Sequence, residues 1–397
     1  MSLTPSFTAA QAAAFRLSRQ HLISEPPAAP ARGRAKASTS GKAPADRSAE
    51  RLADVVRDTA GIQAQVMSAA ELSIWTRRQS TVRGEVQAAL WETRDLVRTS
   101  AMRLTLHVVP ACDLAMYIAA LKPMAMATLQ RWHARVGARP EQVRAMIAAV
   151  VDSFRGDEAQ TQRELIARAK KRAGRGIRAW LDHAWSAVRP AVIDGAIVYG
   201  PPRGAEATFV RADAWLGAQP PIGADDARAE LLRRFLSAFG PATAYDFAKW
   251  SGLKTSDAKS ALAALADEVA GVAIDDGRGW ILRRDVPQLA ASRLDAQAIR
   301  LLPAFDSLLL AHATKEHLVD ARCYKRVYRP QGWISPTVLQ GGRIIGVWFQ
   351  KPAAKHVVLD VQLFNAPTPA VRDAIAAEAN AMSSFLGARC EPRFARM

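Results

Sequence analysis

Two glutamines two residues apart, Gln63 and Gln65 in Gly61-Ile-Gln-Ala-Gln-Val66, stand just before an apolar run in a strongly basic chain. Glutamine does not titrate near neutral pH and is a poor nucleophile, so any chemistry it performs works through its amide dipole and hydrogen bonds. On a helix, positions two apart diverge by about 200°, and the pair cannot meet one small molecule. An extended backbone puts both side chains on one side. Gly61 permits a bend before the helix expected from Val66 or Ser68, and there the two amides can converge on one point. Polar residues at a helix start are commonplace, so spacing alone leaves a functional pair and a decorative one both open.

Downstream, Met102-Arg-Leu-Thr-Leu-His-Val108 reads as a strand of period two. Arg103, Thr105 and His107 then share one face, with Met102, Leu104, Leu106 and Val108 on the other. A cation, a hydroxyl and an imidazole in a row make a site wall. A solvent-facing strand whose His107 merely hydrogen-bonds gives the same pattern.

Other chemistries find no support. The three cysteines, Cys112, Cys323 and Cys390, form no C-x-x-C pair, and the seven histidines no H-E-x-x-H pattern. No Walker loop or dinucleotide fingerprint occurs, so neither a metal nor a cofactor is expected. No apolar run reaches the roughly 18 residues of a membrane span, and the N-terminus lacks a signal-peptide core. The expectation is a cytoplasmic protein with no membrane partner. Lysine and arginine number 54 against 37 acids, a formal charge of +17. Such a surplus favours a polyanionic partner, most often nucleic acid, although an alanine- and arginine-rich composition would also raise the count.

The elements that must position these residues come in a repeated order. At 397 residues the chain is too long for one core. After an N-terminal helix (1–23) comes a Pro/Ala/Ser/Gly/Lys tract (24–47) with almost nothing to bury, read as a disordered insertion. Two or more helices followed by a β-hairpin then recur three times, within 48–157, 158–228 and 229–298. The last copy is clearest: a helix closed by Gly240-Pro241, a second capped by Thr243, a third opened by Ser256, and a hairpin turning at Asp275 to Gly279. That is a winged helix. In the middle copy, Arg163 to Arg178 holds seven bases and one acid, Glu164, either a solvated face or one offered to phosphate. From 299 to 397 the texture changes to alternation. RLLPAFDSLLL, CYKRVYR, ISPTVLQGGRIIGVWFQ and HVVLDVQLF read as strands of a small barrel, with a C-terminal helix packed on it. The fold class is α+β: three tandem winged-helix modules followed by a β-barrel-like domain.

The order of these signals resembles the AlkZ/YcaQ-type winged-helix DNA glycosylases over nearly the whole chain outside the insertion. GIQAQVMSAAELSIWTR, RLTLHVVP, FGPATAYDFAKWSGL, LLPAFDSLLL and LQGGRIIGVW carry the resemblance. It implies three winged helices and a β-barrel around a DNA channel. It also implies a monofunctional glycosylase that removes N7-alkylguanine, as bulky monoadducts or interstrand crosslinks, from double-stranded DNA, acting as a monomer. Gln63-Ala64-Gln65 matches the family's catalytic motif; a related branch has aspartate at the second position. The wing departs from the R-G-T that members of the family often carry there, reading Arg103-Leu-Thr105. A neutral pair suits this chemistry, because N7-alkylguanine is already cationic and leaves as a neutral base. What remains is to hold a water against C1′. Arg103, Lys254 and Arg278 on the predicted wings and helix–turn–helix, with Lys315, Arg322 and Arg326 on or near the barrel, are expected to meet phosphate. A non-enzymatic winged-helix regulator would use the same basic surface but requires neither glutamine. A protein that only sequesters alkylating compounds would need an aromatic-lined pocket.

Overall fold

The computed structural model describes residues 4–23, 51–135, 137–182, 184–275, 277–352 and 356–394. The 24–47 insertion lies outside them. In chain order the described elements are β1 (Ser6–Phe7), α1 (Ala9–Arg19), α2 (Leu52–Asp58), β2 (Ile62–Gln63), α3 (Met67–Arg77), α4 (Glu85–Trp91), β3 (Leu96–Ser100), β4 (Leu106–Pro110), α5 (Leu114–Arg135) and α6 (Pro140–Val151). Next come β5 (Gln160–Thr161), α7 (Gln162–Arg172), α8 (Arg175–Leu181), α9 (Ala184–Asp194), β6 (Ile197–Arg203), β7 (Glu206–Arg211), α10 (Ala212–Leu216), α11 (Ala224–Phe239), α12 (Ala244–Ser251), α13 (Thr255–Ala264), β8 (Val269–Ile274) and β9 (Gly277–Leu282). The chain closes with α14 (Val286–Ala291), β10 (Ile299–Leu302), α15 (Ser307–Leu310), α16 (Tyr324–Val327), β11 (Thr337–Gln340), β12 (Arg343–Pro352), β13 (His356–Leu363), α17 (Pro369–Leu386) and β14 (Arg389–Phe394).

Three small sheets are each an antiparallel hairpin with a two-residue third strand: β2-β4-β3, β5-β7-β6 and β1-β8-β9. Two residues carry no periodic signal, so the sequence pattern does not mark these third strands. The helices start where side chains satisfy orphan N–H groups: Thr8 with Gln11, Thr161 with Glu164 and Thr243 with Asp246 form capping boxes. The central core is aromatic: Phe235 of α11 meets Phe239, Phe247 and Trp250, with ring centroids 5.1–5.5 Å apart.

The C-terminal sheet runs β10-β11-β12-β13-β14 and curls into a half-barrel. Its edge strands do not pair among the described residues, so it is an open sheet with α17 across one face rather than a closed barrel. The last strand, β14, pairs in parallel with β13, which the hairpin logic of the sequence does not foresee. CYKRVYR is a second correction: it forms the short helix α16 instead of a strand. Tyr324 and Tyr328, four apart, stack at 4.8 Å, and of α16 only Val327 is buried, a helical spacing that alternation masked. A third concerns α5, which by length and composition is apolar enough to cross a membrane. Its Tyr117, Ala120, Leu121, Ala125 and Leu129 are buried against the rest of the protein.

One buried ion pair joins the start of the half-barrel to α3. The Arg77 guanidinium grips the Asp306 carboxylate with two bonds of 2.7 and 2.8 Å, both side chains fully inaccessible. Ser73 and the Leu308 N–H also donate to Asp306, and Gln20 from the end of α1 accepts from Arg77. Burial pushes the Asp306 carboxyl up, but Arg77 and these donors outweigh it and hold it below its ordinary value. Removing one partner strands a buried charge. Asp306→Ala should therefore cost about 3–5 kcal/mol in urea unfolding, and a loss below about 1 kcal/mol would mean the pair is not what joins these parts.

Candidate functional site

Gly61 bends the chain into the glutamine segment. Its φ of +92° is left-handed, and a Cβ there would press on Met102 and Val109 side chains at 3.2 Å. Ser307, beside Asp306, donates to the Gly61 carbonyl at 3.2 Å. The backbone then runs extended along β4, pairing Ile62 with Val108 and Gln63 with His107, and the Ala64 N–H donates to the Leu106 carbonyl at 2.7 Å. Ile62 and Ala64 enter the apolar core beneath, so Gln63 and Gln65 face the opposite side. The helix α3 begins at Met67.

Each amide oxygen has one donor from the tip of the β3–β4 hairpin. The Arg103 Nη2 donates to Gln63 Oε1 at 3.0 Å, and the Leu106 N–H to Gln65 Oε1 at 3.3 Å. Gln63 is buried and Gln65 exposed. Gln65 opens on a cleft of about 160 Å³ whose walls include Leu104, Leu106, Arg189, Tyr199 and Phe209. The rings of Tyr199 and Phe209 lie 4.8 Å apart, and the Arg98 guanidinium sits 5.0 Å from the Tyr199 centroid. Sequence reasoning missed Tyr199 and Arg189: they come from β6 and α9, and nothing local marks them as facing Gln65.

The polar row read from the wing changes. Met102–Leu104 form a 3-10 turn with φ of +54° at Arg103 and +59° at Leu104, so the period of two starts only after them. Leu104 and Leu106, assigned to the opposite face, line the cleft. His107 points inward at 2% exposure, its Nδ1 3.0 Å from the Thr105 carbonyl. Thr105 spends its hydroxyl on the Met102 carbonyl at 3.0 Å. Burial, then the Arg103 charge, lowers His107 to about 3, and the ring is neutral at physiological pH.

Arg103 faces inward as well. Besides Gln63 it donates to the Trp250 carbonyl at the C-terminus of α12, where helix dipole and guanidinium attract. Gly252, at φ +85°, closes on it; a Cβ there would stand 3.1 Å from the Arg103 backbone. Burial lowers Arg103 to about 10. Lys315 is lowered to about 8 by burial and then by Arg103; it donates to the His312 carbonyl and lies 5.5 Å from the Tyr328 centroid. Neither forms an ion pair among the described residues, so both are interior cations rather than surface ones. Lys254, Arg278, Arg322 and Arg326 do reach the surface. Arg322 pairs with Asp320 at 3.1 Å, and Arg326 lies 4.9 Å from the Phe364 centroid. None of these four touches either glutamine among the described residues.

Comparison with known proteins follows the same outline. Residues 56–385 match the family model described as DNA glycosylase AlkZ-like. A relative from Streptomyces sahachiroi, described as an interstrand DNA cross-link repair glycosylase, is 30% identical over 311 residues, 74% of this chain and 81% of its own. The solved Streptomyces sahachiroi DNA glycosylase AlkZ aligns with a TM-score of 0.82 at 26% identity, covering 98% of this chain and 100% of that one.

The buried neutral His107 generates a test. Unfolded, it takes a proton as pH falls below about 6.5; folded, it does not until about 3. Its contribution to stability is thus complete above 6.5 and is lost progressively toward 3, by up to about 1.4 kcal/mol per pH unit. Urea unfolding from pH 6 to 4 should show His107→Gln with a slope shallower by about 1 kcal/mol per unit. Parallel slopes would place a protonated ring in the folded protein.

Proposed function

The chain belongs to the AlkZ-like DNA glycosylase family, and from that premise we propose that it repairs alkylated DNA, interstrand crosslinks included, by hydrolysing the N-glycosidic bond of N7-alkylguanine with a water held between Gln63 and Gln65. The hairpins and their helices then serve as three winged-helix modules that carry the duplex.

The observation that supports this reading is a count of lone pairs. An amide oxygen accepts two hydrogen bonds. Gln63 Oε1 already accepts one from Arg103, and Gln65 Oε1 one from Leu106. Among the described residues each keeps one site free, and one water has two protons to give. Held so, its lone pair points away from the amides, toward the sugar. The cationic nucleoside breaks between C1′ and N9, the base leaves neutral, and the positive charge passes to the sugar as an oxocarbenium ion. Water oxygen bonds C1′ and one proton goes to solvent, leaving an abasic site. The glutamine dipoles offset the sugar's charge at the moment it develops. No titrating base is needed, which agrees with a neutral His107. Arg103 is a positioning residue here, since it fixes which end of the Gln63 amide faces the water.

Single-turnover excision from an oligonucleotide carrying one N7-methylguanine, developed with alkali, tests the chemistry. Gln63→Ala or Gln65→Ala should slow it by about 10- to 1000-fold with little change in binding the same DNA. Gln65→Asp should retain activity, since a carboxylate also accepts from water. Wild-type rates in the Gln63→Ala/Gln65→Ala double variant would end the proposal. DNA affinity itself should fall by orders of magnitude over a few-fold rise in salt, as expected when several cations meet phosphate; a flat titration would contradict an electrostatic contact.

A further inference from the structure

We infer that a second pocket, at the opposite end of α12 from Arg103, binds a small organic anion with an apolar body. The pocket encloses about 520 Å³, within the range of about 300–1,000 Å³ typical of small-molecule sites. Ala13 and Leu17 of α1 and Leu294, Leu308 and Leu318 supply apolar walls. A bare, hydrated phosphate of a DNA backbone gains nothing from such walls, whereas an apolar body does.

The polar groups on the lining are short of negative charge. Arg16, Arg278 and Arg343 line it against one acid, Asp246. Asp246 is already committed: its oxygens accept from the Thr243 N–H and hydroxyl and from the Ala313 N–H, at 2.6–2.8 Å. Arg16 donates to the Phe239 and Pro241 carbonyls at 3.2 and 2.6 Å, and no carboxylate forms an ion pair with it among the described residues. It lies deep enough for burial to lower it to about 10, yet part of its surface stays accessible, as a side chain facing a pocket requires.

Beside it, His312 is 7% exposed and makes no well-formed hydrogen bond through either ring nitrogen among the described residues. The Pro241 carbonyl, which also accepts from Arg16, gives one ring N–H slight support and leaves the other nitrogen unmet. The His317 ring stands edge-on at 4.8 Å and also lines the pocket. A buried polar group without a partner is costly, and such an imidazole facing a cavity beside an unpaired guanidinium is met by a ligand's anionic head. Burial keeps both rings neutral, so each offers one N–H to an acceptor. The head could belong to a nucleotide or to a free organic acid; charge plus an apolar body is what the pocket selects.

The test is a fluorescence titration of the full chain with 8-anilinonaphthalene-1-sulfonate, which has this chemistry. One saturable site is expected. Arg16→Gln should weaken it about 10-fold or more, as loss of a charge-assisted contact does. Ala13→Leu, which keeps Arg16 and fills the space, should abolish it, and Arg389→Ala on the surface should leave it unchanged. Displacement by deoxyguanosine monophosphate would name a nucleotide, and by 1-naphthoate an organic acid. Unsaturable dye binding, or equal affinity in Arg16→Gln and Ala13→Leu, would overturn the site. So would displacement by duplex DNA with neither small anion competing, since the pocket would then belong to the DNA path.

Discussion

Everything around the glutamines hangs on the Arg77–Asp306 pair. Two charges taken wholly out of water are tolerable only if nearly every lone pair and proton finds a partner. Here the carboxylate has donors from Arg77, Ser73 and Leu308, and the guanidinium reaches Ser73 and Gln20 besides, leaving only its Nε without a partner. Those partners sit on α1, α3 and the start of the half-barrel, so satisfying the pair fixes three parts of the chain relative to one another. The next residue, Ser307, passes that fixity to the Gly61 carbonyl. A two-residue strand such as β2 has too few ladder bonds to hold itself; the buried pair and its neighbour do it instead.

The second constraint is the hairpin tip. Arg103 and Leu104 both adopt left-handed backbone, which costs a residue with a side chain roughly 1–2 kcal/mol. Glycine would meet this conformation freely. Leu104 instead packs against Ala125, Leu129 and Ile193, so apolar burial offsets the strain. The turn aims Arg103 back between Gln63 and the end of α12, where Gly252 leaves room for it.

Much of this fold was legible because helices and hairpins announce themselves locally. Thr243 with Asp246 caps a helix within four residues, and Gly341-Gly342 turns a hairpin whatever lies elsewhere. Where the reading failed, the deciding contact was distant or the signal ambiguous. Nothing near Arg77 announces a partner 229 residues away, and β14 reaches its parallel pairing with β13 only after the intervening helix α17. Tyr324 and Tyr328 satisfy alternation and helical spacing alike, and only burial of Val327 separates the two. The glutamine pair was legible as a motif. Its donors were not, because one is a backbone N–H and the other an arginine that the strand pattern turned outward.

The electrostatics of the site explain why amides, rather than carboxylates at both positions, fit it. Arg103 donates to Gln63, and Lys315 is a second interior cation within its field; burial and then the Arg103 charge depress Lys315. A glutamate at 63 would be drawn into an ion pair with Arg103, and its oxygens would be spent on the guanidinium. An amide oxygen accepts one hydrogen bond from Arg103 and keeps a lone pair. Position 65 differs: its donor is the uncharged Leu106 N–H, and it is open to solvent, so a carboxylate there would face no competing cation in direct contact. The two positions therefore tolerate different chemistry, and what separates them is the single guanidinium at the hairpin tip.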